Sequence, residues 1–328
     1  LVENIKTLAQ ELLRAKPALP VLNRPLLHWT MEKLFRAGVR DVVVNLHHLP
    51  QTVVDAVGSG RRFGLRVRYA EEPVVLGTGG GPRAVRELFG DEPLLIVNGD
   101  VLFDVDLRRL LAVHRAEAAR ATLALRRNPP PYAYSPVVTD RRGRVLSIAG
   151  RPAPARGRVS MFASVHVMDP ALLERLDPGP SDSVRDLYFP LLAEGEHLQG
   201  VHTRGAWYDF GRPALYRDAQ LRLVPGRGRE RSLVSPRARV SATASVRRSV
   251  VGAARVGRSA RVVRSVLWDG AVVEPGASAV RAIVAEGGVV RAGERAEDVI
   301  VLPWGVVAGG ESPGGGVERR GDMAWVEI

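Results

Sequence analysis

Four stretches of the chain hold side chains of a type and spacing that could do chemistry. In "LLRAKPALPVLNRPLL", residues 12–27, Lys16 sits beside Pro17, with Pro20 and Pro25 close behind. Lys6, Lys16 and Lys33 are the only three lysines among 47 cationic residues, so a lysine kept here asks for a reason. In "LLIVNGDVLFDVDL", 94–107, Asp100 follows an apolar run that reads as a buried strand. Open α/β sheets bind ligands at the carboxyl ends of their strands, and a carboxylate there can hold Mg²⁺ against phosphate oxygens. The plainer alternative is that Asp100 caps a loop, with Asp104 and Asp106 as helix-start acids. In "GAWYDFGRPALY", 205–216, Asp209 lies between aromatics. A buried carboxylate needs a partner, either a metal or Arg212.

The fourth stretch, "VVLGTGGGPRAV" (74–85), puts Gly77, Thr78, Gly79, Gly80 and Gly81 between a strand and a helix. Glycines let backbone approach a ligand closely, and the N-terminus of the following helix offers unpaired N–H groups to an anion. No GK[ST] follows and G-x-G-x-x-G spacing is absent, so neither a Walker loop nor a Rossmann loop is present. A ligand loop and an ordinary tight turn both remain open. The histidines offer little: His47 and His48 are adjacent, so in a strand they face opposite sides, and none of the seven has metal-binding spacing. With no cysteine, disulfides, thiolate metal sites and cysteine nucleophiles are excluded, which fits a reducing cytoplasm.

These residues need elements to position them. From Pro25 to about Val224 the pattern alternates. "RPLLHWTMEKLFRAG" has helical spacing (Leu27, Met31, Leu34, Phe35) with a glycine stop, and "DVVVNL" is a short strand. "PQTVVDAVGSG" reads as helix and turn, "LRVRYAEE" as strand, "GPRAVRELFG" as helix, "PLLIVNGD" as strand and "DLRRLLAVHRAEAA" as helix. Later come a strand in "VSMFASVHVMD", a helix over "SVRDLYFPLLAEG" and a last helix in "RPALYRDAQLRLV". Such alternation predicts βαβ units and a Rossmann-like, mostly parallel sheet in an α/β domain over 1–224. "PGRGRERS", 225–232, is a Gly/Arg-rich linker.

Beyond it the chain repeats. "RSVV" (248–251), "RSVL" (264–267), "RAIV" (281–284) and "DVIV" (298–301) recur every 16 or 17 residues. Val256, Val272 and Val289 form a second expected column, and Val234, Val240 and Val246 lie six apart. A period near 17 with substeps near six predicts three short strands per coil over 233–303, a hexapeptide-type left-handed parallel β-helix. Residues 304–328 read as a Gly-rich tail, flexible over 309–322, with "MAWVEI" able to cap or pair.

At 328 residues, two domains are expected. The net charge of +12 comes from arginines scattered through nearly every segment, so no nucleic-acid partner is predicted. No apolar run reaches membrane-spanning length and no signal-peptide pattern opens the chain, so neither a membrane nor export is expected. Leu1 in place of Met suggests a fragment or a misplaced start.

Together these segments resemble the sugar-1-phosphate nucleotidyltransferases. "KPALPVLNRPLL" looks like the family's K-P-x-x-P-v-x-x-[KR]-P-L motif. "VVNLHHLP", "EEPVVLGTGGG", "LIVNGDVL" and "WYDFGRPALYRDA" look like its successive blocks, in order, and a hexapeptide-repeat domain is common in it. The likeness runs from about Ala15 to about Val301. Within the family the chain looks most similar to mannose-1-phosphate guanylyltransferases, and "VNLHHLP" and "TGGG" also resemble N-acetylmuramate-1-phosphate uridylyltransferases.

The resemblance implies in-line displacement. A sugar-1-phosphate oxygen attacks the α-phosphorus of a nucleoside triphosphate, giving an NDP-sugar and pyrophosphate. Lys16 matches the lysine that contacts phosphates as a mobile point charge. Asp100 and Asp209 match the carboxylates that hold the Mg²⁺ cofactor. Gly77, Thr78, Gly79 and Gly80 would lie along nucleotide or sugar, with Glu72 and Asn98 as further substrate contacts. Association through the β-helix would make a homo-oligomer.

The pattern departs in one place. Before the lysine motif the family carries a first, central strand and a G-x-G-T-R-[LM] loop around the triphosphate. Residues 1–14, "LVENIKTLAQELLR", contain no glycine, and Ile5, Leu8 and Leu12 have helical spacing. Loss of a central strand leaves its neighbours' ladder groups without partners. The chain is then either a gene product lacking that strand or a divergent paralogue that binds an NDP-sugar without making it.

Overall fold

The computed structural model describes residues 13–128, 134–226, 230–308 and 316–328. The helix expected from Ile5, Leu8 and Leu12 lies outside the described residues, as does the middle of the 225–232 linker. Two compact units emerge: one of residues up to His28, Gln51–Ala56 and Tyr208–Ile328, the other of Trp29–Pro50 and Val57–Trp207.

In the second unit, the strands Asp41–Leu46 and Arg66–Glu71 pair in parallel. A larger sheet runs Leu198–His202, Ala121–Arg126, Arg158–Met168, Pro136–Thr139, Val145–Ile148. Leu198–His202 and Ala121–Arg126 are parallel, whereas Arg158–Met168 runs antiparallel to its neighbours. This eleven-residue strand serves several partners because its register shifts between Phe162 and His166, with Ser164 in the left-handed region at φ 57°. Such bulges bend a strand and re-aim what lies beside it. Its C-terminal end pairs with Leu94–Val97, the strand that leads into Asp100.

Burial differs sharply across these strands. Ala121, Leu123, Ala124 and Leu125 are all 0% exposed, covered on one side by Leu172, Leu187 and Leu191. Asp41–Leu46 and Leu94–Val97 are mostly half-buried. Among the described residues, the first pairs only with Arg66–Glu71 and the second only with Arg158–Met168, so each keeps one unpaired edge.

The predicted helices form at Leu26–Ala37, Pro50–Val57, Leu107–Ala116 and Pro213–Leu223. In the first, Leu27, Met31 and Leu34 are buried as expected, but Phe35 is 40% exposed and stacks under the Arg40 guanidinium at 4.5 Å. Gly38, at φ 101°, supplies the glycine stop. "SVRDLYFPLLAEG" begins as a π-helical turn, Ser183–Tyr188, before Phe189–Ala193 becomes α-helical.

The repeats build a parallel β-helix with three strands per coil. One column stacks Leu233–Val234, Val250–Val251, Val266–Leu267, Ile283–Val284 and Ile300–Val301. A corner residue before it recurs in the left-handed region (Arg248, Arg264, Arg281 and Asp298, φ 48° to 51°). Buried serines join the coils: Ser249 Oγ accepts the Ser265 N–H at 3.2 Å, and Ser265 Oγ accepts the Ala282 N–H at 3.0 Å.

The second column corrects the expectation by one residue. Val256 stacks on Val273 and Val290, all within 2% exposure, while Val272 and Val289 are half-buried. A 17-residue coil carries one more residue than a 16-residue coil, and a one-residue slip turns a side chain to the other face. Of the stretch expected to be flexible, 309–315 lies outside the described residues, and 316–322 is ordered. Val317–Arg320 and Met323–Glu327 form a hairpin whose second strand pairs with Val299–Pro303, covering the last coil with Met323 and Trp325. "MAWVEI" therefore pairs.

Candidate functional site

Lys16 opens a 3₁₀ turn, Lys16–Ala18, followed by a two-strand turn pairing Pro20 with Pro25 and Val21 with Arg24. The prolines fix φ along this segment, and Leu22 and Asn23 turn the chain at φ 51° and 62°. Long-range bonds then hold it. The Tyr216 hydroxyl donates to Pro20 O at 2.5 Å, Gln220 Oε1 accepts the Leu22 N–H at 2.9 Å, and Asn23 Nδ2 donates to Val251 O at 3.0 Å. Tyr216 is itself buried, receives the Trp268 indole N–H at 2.9 Å, and has its phenol pKa pushed upward by burial.

The same helix that carries Tyr216 and Gln220 begins just after Asp209. Pro213 occupies its first turn, where a missing N–H costs nothing. Asp209 ends the strand Trp207–Asp209, half-buried, and its Oδ1 accepts the Gly211 N–H at 2.7 Å. Phe210, 1% exposed, packs edge-on against Tyr216 with ring centroids 5.9 Å apart. One helix thus fixes the segments of both Lys16 and Asp209 within a single unit.

In the other unit, Asn98, Gly99 and Asp100 make the tight turn between Leu94–Val97 and Val101–Phe103. The Asn98 N–H donates to Ser164 O at 3.1 Å, so the bulge in the long strand receives this turn. Asp100 is half-buried. Asp106 is the helix-start acid of the plainer reading, its Oδ1 accepting the Arg109 N–H at 3.0 Å. Asp104 instead holds Lys33 Nζ at 2.9 Å.

The glycine run differs from expectation. It is itself the helix Gly77–Ala84, with Gly79, Gly80 and Gly81 buried. Its first donors are not unpaired, because the N–H groups of Gly79 and Gly80 both point at Ser181 O, at 2.9 and 3.3 Å. A Cβ on Gly77 would stand 2.6 Å from Ser181 O, one on Gly80 would strike Gly179 O, and one on Gly81 would strike Asn45 Nδ2. The glycines therefore allow close packing against residues 179–181 and Asn45. Thr78 belongs to the same contact: its hydroxyl donates to Asp182 at 3.1 Å and accepts the Ser183 N–H at 2.9 Å.

Glu72 anchors the approach to this helix. Its Oε1 accepts from Asn45, and its Oε2 accepts the Leu76 N–H at 3.0 Å. His47 Nδ1 lies 2.7 Å from Glu72 O, a role that adjacent histidines did not announce. Asp182, which caps the Ser183–Tyr188 turn through the N–H groups of Val184 and Arg185 at 2.9 and 2.8 Å, was also missed. Its capping position in "PSDSVRD" was the available signal.

Among the described residues, no group of three or more His, Asp or Glu could hold a metal, and no helix is long and apolar enough to cross a membrane. Asp100 and Asp209, the carboxylates expected from sequence to hold a metal, belong to different units.

A family model of nucleotidyl transferases matches residues 12–224. Over 274 residues the chain is 32% identical to the mannose-1-phosphate guanylyltransferase of Mycobacterium tuberculosis, covering 80% of this chain and 76% of that one. It is 27% identical over 216 residues to the UTP–glucose-1-phosphate uridylyltransferase of Synechocystis, and spans 56% of that protein's length. Its fold is similar to that of HddC from Yersinia pseudotuberculosis, at a TM-score of 0.53 and 18% identity, covering 63% of this chain and 89% of that one.

Proposed function

The chain belongs to the sugar-1-phosphate nucleotidyltransferases, a nucleotidyl transferase family, and from that membership we propose the reaction it runs: GTP and mannose-1-phosphate to GDP-mannose and pyrophosphate. The observation that carries this reading is Asp100, held in a tight turn at the carboxyl end of Leu94–Val97, where an α/β sheet meets its ligand. The choice of guanine and mannose is supported by the 32% identity to an enzyme of that name.

In the proposed step, a phosphate oxygen of the sugar 1-phosphate forms a bond to the α-phosphorus. The bond to the β-phosphate bridging oxygen breaks, and its electron pair leaves on pyrophosphate. Such transfers need positioning and charge neutralisation more than a covalent nucleophile. Lys16, on a proline-stiffened turn, supplies a mobile ammonium to the phosphate oxygens. Asp100 and Asp209 would hold Mg²⁺, which when bound neutralises phosphate charge. A pair of carboxylates completed by substrate oxygens is the donor set Mg²⁺ takes, in contrast to an all-protein cage. Glu72 and Thr78 act through the backbone they hold, and Asn98 lines the turn that presents Asp100. The absence of cysteine supports a cytoplasmic setting, and the first coil's strand Leu233–Val234, which among the described residues pairs on one side only, supports self-association through the β-helix.

Pyrophosphate release tests the reading. The full chain with Mg²⁺ is expected to release it from GTP and mannose-1-phosphate faster than from UTP or dTTP with glucose-1-phosphate. A preference for UTP would move the chain to the uridylyltransferases. No release from any pair, with GDP-mannose still bound, would instead mark a binding paralogue.

A further inference from the structure

The unit that carries Asp100 also holds a groove of about 1200 Å³ that the proposed reaction does not use. It lies among the helix Leu107–Ala116, the turn after Pro136–Thr139, the start of Arg158–Met168 and the end of Leu198–His202. Arg109, Arg141, Arg142, Arg156, Arg158 and Arg204 line it, all exposed. Among the described residues, none of these six guanidinium groups makes a hydrogen bond or ion pair.

An arginine-rich chain puts arginines everywhere, and many elsewhere are paired with acids. Arg66 meets Asp41, Arg115 meets Glu92, Arg175 meets Glu194, and Arg281 meets Glu297 and Asp298. The acids that line the groove are mostly engaged locally. Asp104 holds Lys33, Asp106 caps its helix, and Asp140 accepts the N–H groups of Arg142 and Arg144 at 2.8 and 2.9 Å, leaving Glu117. His202 adds no charge to the floor. Its Nε2 and Nδ1 lie 3.1 and 3.2 Å from the hydroxyls of Thr139 and Ser160, and burial, then Arg158, lower its pKa.

We propose that this groove is a second anion site, which takes a chain of linked phosphates. Like charges around one concavity focus a positive potential, and guanidinium forks match phosphate oxygens. The lining contains no Phe, Tyr or Trp, so no face is offered for stacking a base. Recognition is therefore of the phosphoanhydride chain, whether free or as the tail of a nucleotide.

The test is calorimetric titration of the full chain with tripolyphosphate at fixed ionic strength, beside the single variants R142E and R158E. Both side chains are exposed, and thermal unfolding checks that the variants fold. Each variant is expected to weaken binding at least about tenfold, the worth of one charged hydrogen bond, while pyrophosphate release is unchanged. GTP should bind the groove no more tightly than tripolyphosphate, and sulfate should not displace either. Unchanged affinity in both variants, with loss only in Lys16→Ala, would assign the anion to the nucleotide site and overturn the proposal. Displacement by sulfate, or a strong preference for GTP, would overturn the ligand class. Because these readouts are binding in a variant pair, they stand or fall separately from turnover.

Discussion

The coil array and the strands Asp41–Leu46 and Leu94–Val97 use the same residues, mostly valine, leucine and isoleucine, and bury them very differently. In the coils, Val251, Val273, Val284, Val290 and Val301 are all 0% exposed. In the two strands only Leu46 is fully buried. A coil finds its covering neighbour 16 or 17 residues along the chain, so repetition supplies its own partners. A strand of an α/β sheet depends on distant segments for both of its edges, and among the described residues each of these pairs on one edge only. Burial is decided by topology, and composition only permits it.

The comparison can be broken most forcefully by placing a charge in each region. Val284→Asp puts an unpaired carboxylate in a sealed column and should cost at least about 4 kcal/mol, enough to remove the array's cooperative unfolding in calorimetry. Val43→Asp, in the half-buried strand, should cost about 1 kcal/mol or less. Equal losses would mean the two regions are not differently sealed.

Acid should separate the regions next. His166 is buried in the sheet, 2.6 Å from the Tyr188 hydroxyl, and burial holds its pKa down to about 3. The unfolded histidine takes up a proton near pH 6.5, and the folded one does not until about pH 3. Stability contributed by the neutral ring is therefore intact above pH 6.5 and falls by about 1.4 kcal/mol per pH unit below it. The coil array contains no histidine. Its Asp298 and Glu297 pKa values are lowered by bonds to Arg281 and Arg295, so their contribution is lost only below the ordinary carboxylate range. Urea unfolding at pH 5 should weaken the sheet unit alone, and His166→Gln should flatten that dependence.

A smaller effect distinguishes two kinds of glycine. Gly80→Ala drives a Cβ into Gly179 O and should cost about 2 kcal/mol, with weaker nucleotide binding. Gly293→Ala, at a coil corner with φ 77° and open space around it, should cost about 1 kcal/mol and leave binding untouched. Denaturant midpoints and nucleotide titrations of both variants give the comparison.

The coil array was legible because its partners recur within one period. Only the position of its seventeenth residue was hidden, which moved Val272 outward and Val273 inward. Asp100 was legible as a carboxylate after a strand, Asp209 only as an acid between aromatics, and the prolines around Lys16 announced a fixed turn. The glycine run was not, because its reason lies in residues 179–181, a hundred positions away and without a motif of their own. The six groove arginines could not be told from the rest by sequence, since what distinguishes them is that the fold brings them to one concavity.

The most direct measurement of the central claim is pyrophosphate release by the full chain and by Asp100→Asn and Asp209→Asn, each checked for unchanged thermal unfolding. Both variants are expected to lose about a hundredfold or more in turnover, as when a group that stabilises transferring charge is removed. Turnover at the parent rate in both would contradict the assignment of these carboxylates to the reaction.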